Sequence, residues 1–148
     1  MKSLFLTLIG TIGSLATYLF GGWDAVVITL FIFMAVDFIT GLIVAGVFHK
    51  STKTESGALE SRYCFKGLCR KAIIVFFVLI GHMLDITLGI DFVRNLICYA
   101  YMANELLSII ENAGLMGIPI PKVITNAVEI LKSKGGEGES GDGGKDLF

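Results

Sequence analysis

The sequence predicts an all-α integral membrane protein with about four transmembrane helices and a short amphipathic helix near its C-terminus. Apolar residues make up 54% of the 148 residues, and the mean hydropathy of +0.77 is high for a soluble domain. These residues form four segments of about 17 to 24 residues, close to the roughly 20 helical residues that cross a bilayer. The segments are continuous apolar runs rather than alternating strands, which excludes a transmembrane barrel.

The four predicted spans cover residues 4–20, 25–48, 72–90 and 92–110. A basic loop, residues 49–71, separates the second span from the third, and from about Ala58 it can become helical and continue into that span. Residues 114–132 are predicted to form a Pro/Gly loop and a juxtamembrane helix that begins at Pro121 and rests on the inner leaflet or packs on the bundle. Residues 133–148 are rich in glycine and charge, which predicts a disordered tail.

The charges of the basic loop predict the orientation of the chain. Only Glu55 and Glu60 oppose the six cations of this loop, which are Lys50, Lys53, Arg62, Lys66, Arg70 and Lys71. By the positive-inside rule the loop lies in the cytoplasm, and with four spans both termini do too. We expect Lys66, Arg70 and Lys71 at the membrane surface, where anionic headgroups attract them.

Small and polar residues mark the first span and the turn that follows it. The small residues of this span and of the turn after it recur at spacings that allow close helix approach: Gly10, Gly13, Ser14, Thr17 and Gly21. Ordinary use of small residues in membrane helices explains them equally well. Trp23 fits the interfacial aromatic belt, and Asp24 can cap the second helix.

Asp37 lies near the middle of the second span, where a carboxylate costs about 2.5–3.5 kcal/mol. The Val, Ile, Leu and Phe residues of the span contribute roughly 0.3–0.6 kcal/mol each, so it inserts with the acid neutral or partnered. Gly41 and Ala45 follow on the same helix face and predict a close-packed seam. This face is expected to form a helix–helix or pore-lining contact, and the alternative is a static structural hydrogen bond.

The fourth span carries a polar stripe along one face. Its members recur at helical spacing and are Arg94, Cys98, Tyr101, Asn104, Glu105, Ser108, Glu111 and Asn112. Such a helix cannot face lipid all round, so the stripe is expected to pair with other polar groups or to face a pore. Alternatively, the helix lies flat at the interface. In the third span, His82 and Asp85 are expected to form a polar patch near the outer interface.

Four segments resemble the family of small phage holins that also includes the holin-like proteins of clostridial toxin-secretion loci. They are residues 36–41 (VDFITG), 66–71 (KGLCRK), 104–114 (NELLSIIENAG) and 116–121 (MGIPIP). The third and fourth together are the most specific. In order and spacing, the resemblance covers roughly residues 23–131.

The resemblance implies a phage lysis protein that forms homo-oligomers in the host cytoplasmic membrane and opens lesions that release an endolysin. Its expected partners are the lipid bilayer and further copies of itself, while the endolysin cooperates without direct binding. A holin-like toxin-export protein, an antiholin and a small membrane channel are the alternatives. We expect no enzymatic activity, cofactor, metal or nucleic acid, because the sequence has no catalytic constellation and its cysteines lack zinc-site spacing.

Overall fold

A computed structural model describes residues 1–136 of the chain. Within this range the chain forms five helices: α1 (Lys2–Phe20), α2 (Ala25–Gly46), α3 (Ser61–Leu88), α4 (Val93–Leu115) and α5 (Lys122–Lys134). The described residues contain no strand, and the predicted all-α membrane class is confirmed. The tail predicted to be disordered lies outside the described residues from position 137 onward, whereas Ser133 and Lys134 complete the last turn of α5.

Three helices of the described chain are long and apolar enough to cross a membrane, namely α1, α2 and α3 with 19, 22 and 28 residues. Four such helices were expected. With 23 residues α4 is long enough, but its polar stripe makes it less apolar than the other three. It is nevertheless the central helix of the bundle and packs against α2, α3 and α5.

Helix α3 begins at Ser61, well before the predicted third span at residue 72. The end of the predicted loop 49–71 is therefore helical, as expected for a helix that continues from the loop into the span. At a rise of 1.5 Å per residue, 28 residues extend about 42 Å, against roughly 30 Å for the hydrocarbon core. The first turns of α3 can therefore project beyond the hydrocarbon.

One end of the bundle is organised around Arg94, and we call it the Arg94 end. The Arg94 guanidinium donates to the backbone carbonyl oxygens of Phe20 at 2.8 Å and Gly21 at 3.2 Å, and it forms an ion pair with Asp24. The Asp24 carboxylate also accepts a hydrogen bond from the backbone N–H of Val27 at 3.0 Å. The predicted cap of α2 is therefore confirmed, and Arg94 joins it to the end of α1.

Asp85 joins the end of α3 to the start of α4. Its carboxylate accepts hydrogen bonds from the backbone N–H groups of Val93 at 2.8 Å and Arg94 at 3.0 Å. These donors lie in the first turn of α4, where no partner within the helix is available. Asp85 therefore caps a neighbouring helix, a role that the predicted polar patch with His82 did not include.

The contacts fix the directions of the helices. Helices α2 and α4 run parallel from the Arg94 end to the opposite end, which we call the loop end because residues 47–60 connect α2 to α3 there. Helix α3 is antiparallel to both, since Asp85 meets the start of α4 and Lys71 meets its second half. Helix α1 runs toward the Arg94 end and therefore begins at the loop end.

Helix α5 packs on the bundle and runs back along α4. Val128 is buried against Ala103 and Leu106, and Gly135 lies against the backbone of Ala100. The end of α5 therefore approaches the Arg94 end. Of the two positions predicted for this helix, on the inner leaflet or packed on the bundle, the structure shows the second.

The core and the outer surface are both apolar. The main buried cluster contains Phe20, Val27, Leu30, Met34, Val78, Cys98 and Met102. Phe20 is the one buried residue of α1, and ideal Cβ atoms placed on Gly10 and Gly13 would meet no atom of the described chain within 4 Å. The part of the predicted close-approach face that carries Gly10 and Gly13 is therefore uncovered in the single chain, whereas a Cβ atom on Gly21 would collide with the His82 ring.

Gly81 provides a test of the packing between α3 and α4. A Cβ atom at this position would lie 2.7 Å from Ile97 Cδ1 and 3.0 Å from Arg94 Cα. We expect Gly81→Ala to lower the stability of the detergent-solubilised protein by about 1–3 kcal/mol because the helices must separate. Gly67→Ala is the matched control, since nothing lies within 4 Å of its Cβ position on the same helix. Thermal unfolding followed by circular dichroism measures both, and equal melting temperatures would contradict this packing.

Candidate functional site

A buried ion-pair network joins the three central helices. The Lys71 ammonium of α3 lies 2.8 Å from Asp37 Oδ2 of α2 and 2.5 Å from Glu105 Oε2 of α4. The exposed fractions of the three side chains are 12%, 12% and 9% for Lys71, Asp37 and Glu105. We call these residues the charged triad.

The register of the parallel helices α2 and α4 brings the two carboxylates of the triad to the same depth. Asp37 follows Asp24 by 13 residues and Glu105 follows Arg94 by 11, which correspond to about 20 Å and about 17 Å of helix. The ion pair between Arg94 and Asp24 fixes this register at one end. The triad therefore lies past the middle of the bundle, nearer to the loop end.

Asn112 and Thr40 extend the network toward the loop end. The Asn112 Nδ2 amide donates to Thr40 Oγ1 at 2.9 Å and to Asp37 Oδ1 at 3.3 Å. The Thr40 hydroxyl in turn donates to the backbone carbonyl of Asp37 at 3.0 Å. Asn112 is buried, so these bonds satisfy an amide that would be costly to bury without partners.

The triad contains one cation and two carboxylates, so it carries one negative charge in excess when all three groups are ionised. An isolated ion in an apolar interior costs several kcal/mol, and an opposite charge offsets that cost only at close range. Each of the three helices brings at least one member of the triad. The burial of these groups therefore becomes favourable when all three helices pack together.

A cavity of about 450 Å³ lies beside the triad and extends to the loop end. Its walls come from α2, α3, α4 and the connection between α2 and α3. Asp37, Lys71 and Glu105 line its inner part, and Ser108 contributes a hydroxyl. The cavity therefore links the charged triad to the basic end of the bundle.

The structure brings most of the sequence-predicted site residues together around the triad and the cavity. The cavity lining includes Asp37, Gly41, Ala45, Asn104, Glu105, Ser108 and Asn112. Glu111 is exposed and lies apart from this group. A Cβ atom on Gly41 would meet only Asn112 Nδ2 at 3.8 Å, an ordinary contact, so no neighbouring helix of the same chain requires a glycine there.

Lys71 lies elsewhere than the sequence suggested. It was expected with Lys66 and Arg70 at the membrane surface, and those two side chains are indeed exposed, but Lys71 points into the bundle. The reason is its helix face: Ile74, Val78, Gly81 and Asp85 follow Lys71 at alternating three- and four-residue spacings along the side of α3 that packs on α4. This repeating pattern was the signal available in the sequence, and the basic composition of the loop concealed it.

The comparison with known families agrees with the resemblance seen in the sequence. The pattern that defines the bacteriophage holin family matches residues 14–133. This chain belongs to the bacteriophage holin family. The match includes all three members of the triad and all of α5 except its last residue.

The similar proteins are themselves uncharacterized. The Listeria monocytogenes protein Lmo0128 is 38% identical over 128 residues, which cover 86% of each chain. A Clostridium perfringens 14.9 kDa protein in the nagH 3′ region is 37% identical over 84% of this chain and 89% of that protein. A Halalkalibacterium halodurans protein, BH0965, is 35% identical over 89% of this chain and 96% of that protein. No solved structure matches the chain significantly.

Replacement of Lys71 tests the energetics of the triad. Lys71→Met leaves Asp37 and Glu105 buried without a cation, and we expect it to destabilise the protein by about 3–5 kcal/mol. Lys66→Met is the matched control because the Lys66 side chain is exposed on the same helix. Chemical unfolding in detergent micelles measures both changes.

Neutralising the two carboxylates as well should reverse the destabilisation caused by Lys71→Met. The triple variant Asp37→Asn, Lys71→Met, Glu105→Gln removes every charge of the triad, so its stability should return toward that of the wild-type protein. Equal stability of the Lys71→Met and Lys66→Met variants would show that Lys71 is not buried between the two carboxylates.

Proposed function

We propose that this protein is a holin that assembles in the cytoplasmic membrane of a bacterial host and opens lesions that release an endolysin. The observation that carries the proposal is the charged triad, buried within a bundle of membrane-length helices in a member of the holin family. A protein that later lets water through the membrane needs polar groups that it can hide at first. The triad supplies such groups.

In the proposed closed state, the polar stripe of α4 is satisfied within each chain. Glu105 and Asn112 of the stripe contact Lys71 and Asp37 rather than lipid. Separation of α4 from α2 and α3 would expose three ionisable groups, which are stable outside the triad only in water. Opening is therefore more favourable when many copies share a water-filled lesion than when a single chain opens partly.

The excess charge of the triad offers a connection to the membrane potential. A potential of 100 mV is worth about 2.3 kcal/mol for one charge moved fully across the membrane. The triad lies part of the way across the bundle, so its movement on opening would supply a fraction of that energy per chain. Summed over an oligomer, this fraction is enough to make opening depend on an energised membrane.

The charged residues of α5 indicate which side of the bundle faces water in the proposed assembly. Four of its 13 residues are charged, namely Lys122, Glu129, Lys132 and Lys134. Lys134 lies over the ring of Tyr99, 5.4 Å from the ring centre, and Tyr99 follows Arg94 by only about 8 Å of helix. A charge that faces the hydrocarbon at this depth is costly. We therefore assign the α5 side to water, and the apolar surfaces of α1 and α3 to lipid.

The basic loop supports an orientation with the loop end in the cytoplasm. Lys53, Lys66 and Arg70 lie at that end, and the N-terminal start of α1 lies there too. In this orientation the cavity beside the triad opens toward the cytoplasm, and the Arg94 end faces outward.

Controlled expression in a bacterium tests the proposed function. We expect growth to continue normally and then to stop abruptly, with entry of a membrane-impermeant dye at the same moment. Co-expression of a cytoplasmic peptidoglycan-degrading enzyme should convert this arrest into rapid loss of turbidity. A gradual effect that starts at induction and never releases the enzyme would instead indicate a small channel, and delayed lysis by a second holin would indicate an antiholin.

The role of the triad in timing has its own test. Glu105→Gln leaves a balanced pair of Lys71 and Asp37, which costs less to bury, so the closed state should be favoured and lysis delayed at equal protein level. Asp37→Asn makes the same charge change and should shift the onset in the same direction. Glu111→Gln is the control, since Glu111 is exposed on the same helix. Unchanged onset in the first two variants, measured by turbidity and immunoblot, would remove the triad from the mechanism.

A further inference from the structure

The cavity at the loop end has the size and the walls of a ligand site. Its volume of about 450 Å³ falls within the roughly 300–1,000 Å³ that is typical of small-molecule sites. Helices α2 and α3 make few direct contacts with each other, and the cavity fills the space between them. Residues 51–54 and 59–60 of the connecting segment form its edge at the loop end.

Three cations line the part of the cavity near the loop end, namely Lys53, Lys66 and Arg70. Among the described residues, no carboxylate lies within salt-bridge distance of any of them. The acid that lines this part of the cavity is Glu60, which accepts a hydrogen bond from the Ser56 hydroxyl at 3.1 Å. This part of the cavity therefore has an excess of positive charge without an internal partner.

The remaining walls are apolar where α2 and α3 border the cavity. Phe38 and Leu42 contribute from α2, and Ile74 contributes from α3. Both helices are apolar enough to span a membrane, so this side of the cavity lies at the depth of the lipid chains. A ligand that fits the whole cavity must combine an anionic group at the loop end with a hydrocarbon part beside α2 and α3.

We propose that this cavity binds an anionic phospholipid of the bilayer. Its phosphate lies among Lys53, Lys66 and Arg70, and an acyl chain lies along Phe38, Leu42 and Ile74. Basic pockets between transmembrane helices on the cytoplasmic side are suited to anionic lipid headgroups, and the planar guanidinium of arginine matches the geometry of phosphate oxygens. A soluble phosphate compound would satisfy the cations but would leave the apolar walls without a partner.

The site also reaches the triad, because Asp37, Lys71 and Glu105 line the inner part of the same cavity. A bound lipid would therefore fill the space between α2 and α3 next to the groups that hold these helices to α4. The proposal concerns the closed bundle and does not depend on the lysis function. It can be correct in a protein that never forms a lesion.

Lipid retention by the purified full-length protein tests this site. Detergent-solubilised protein is mixed with 1-palmitoyl-2-oleoyl phosphatidylglycerol or with the corresponding phosphatidylcholine, and bound lipids are counted by native mass spectrometry. We expect one phosphatidylglycerol to bind in preference to phosphatidylcholine. The double variant Lys66→Gln, Arg70→Gln should weaken this binding about 30-fold, from the loss of two surface cations.

Matched variants separate this site from general attraction to basic residues. Arg62→Gln removes a cation of α3 that does not line this cavity, and its affinity for phosphatidylglycerol should equal that of the wild-type protein. The double variant Lys66→Arg, Arg70→Lys keeps both charges and should bind phosphatidylglycerol, with an unchanged circular dichroism spectrum. An equal loss of affinity in Arg62→Gln would overturn the proposal in favour of diffuse surface attraction.

Two further measurements test the lipid as the occupant. Leu42→Trp fills the apolar part of the cavity without a change of charge, and it should reduce phosphatidylglycerol binding. Glycerol 3-phosphate, which has the anionic group but no acyl chain, should not displace the bound lipid. Full displacement by glycerol 3-phosphate, or full binding by a folded Leu42→Trp variant, would show that the site selects a soluble phosphate or that the lipid lies elsewhere.

Discussion

The position of Lys71 between Asp37 and Glu105 is the interaction on which the arrangement of the bundle depends. Each of these residues is unfavourable in a membrane-length helix on its own, because an unpaired ion there has neither water nor a counter-ion. Together they are satisfied, because the Lys71 ammonium lies 2.8 Å from the Asp37 carboxylate and 2.5 Å from the Glu105 carboxylate. These contacts join α2, α3 and α4 at one depth. At the Arg94 end, the ion pair between Arg94 and Asp24 likewise joins α4 to the start of α2. Two charged contacts thus set a register that the apolar contacts between these helices do not determine.

The sequence was sufficient to predict most elements of the fold, but it did not identify Lys71 as the partner of Asp37 and Glu105. Three of the four predicted membrane-length apolar runs, the Asp24 cap and the helix after Pro121 follow from local composition and are present in the structure. Lys71 is 34 residues from both of its carboxylate partners. The three- and four-residue repeat that begins at Lys71 separates it from Lys66 and Arg70, but all three share a basic loop whose composition conceals this signal. The distinction depends on which face of α3 meets α4, and that is a property of the assembled bundle.

Two glycines also show that the sequence does not identify which helices pack against each other. Gly41 and Gly81 both lie in membrane-length helices, and the spacing around Gly41 predicted a close-packed seam. The structure reverses their importance, because a Cβ atom at Gly81 would lie 2.7 Å from Ile97, whereas one at Gly41 would make an ordinary contact at 3.8 Å. Residue spacing identifies a helix face, but it does not identify the helix that faces it. Within one chain Gly41 lines the cavity, so any seam that requires it must involve another copy.

Helix α5 gives the bundle two different sides, and this asymmetry connects the single chain to the proposed assembly. The apolar face of α4 that carries Ala103 and Leu106 is covered by α5 through Val128. That contact places a helix with four charges in 13 residues against the outside of a membrane-length helix. Helix α1, by contrast, exposes Leu4, Leu8, Ile12 and Leu15 along its length. The charges of α5 suit water and the exposed surface of α1 suits lipid, so the two surfaces favour different surroundings. In the assembly proposed above, an oligomer whose α5 helices face a common aqueous interior would satisfy both surfaces at once.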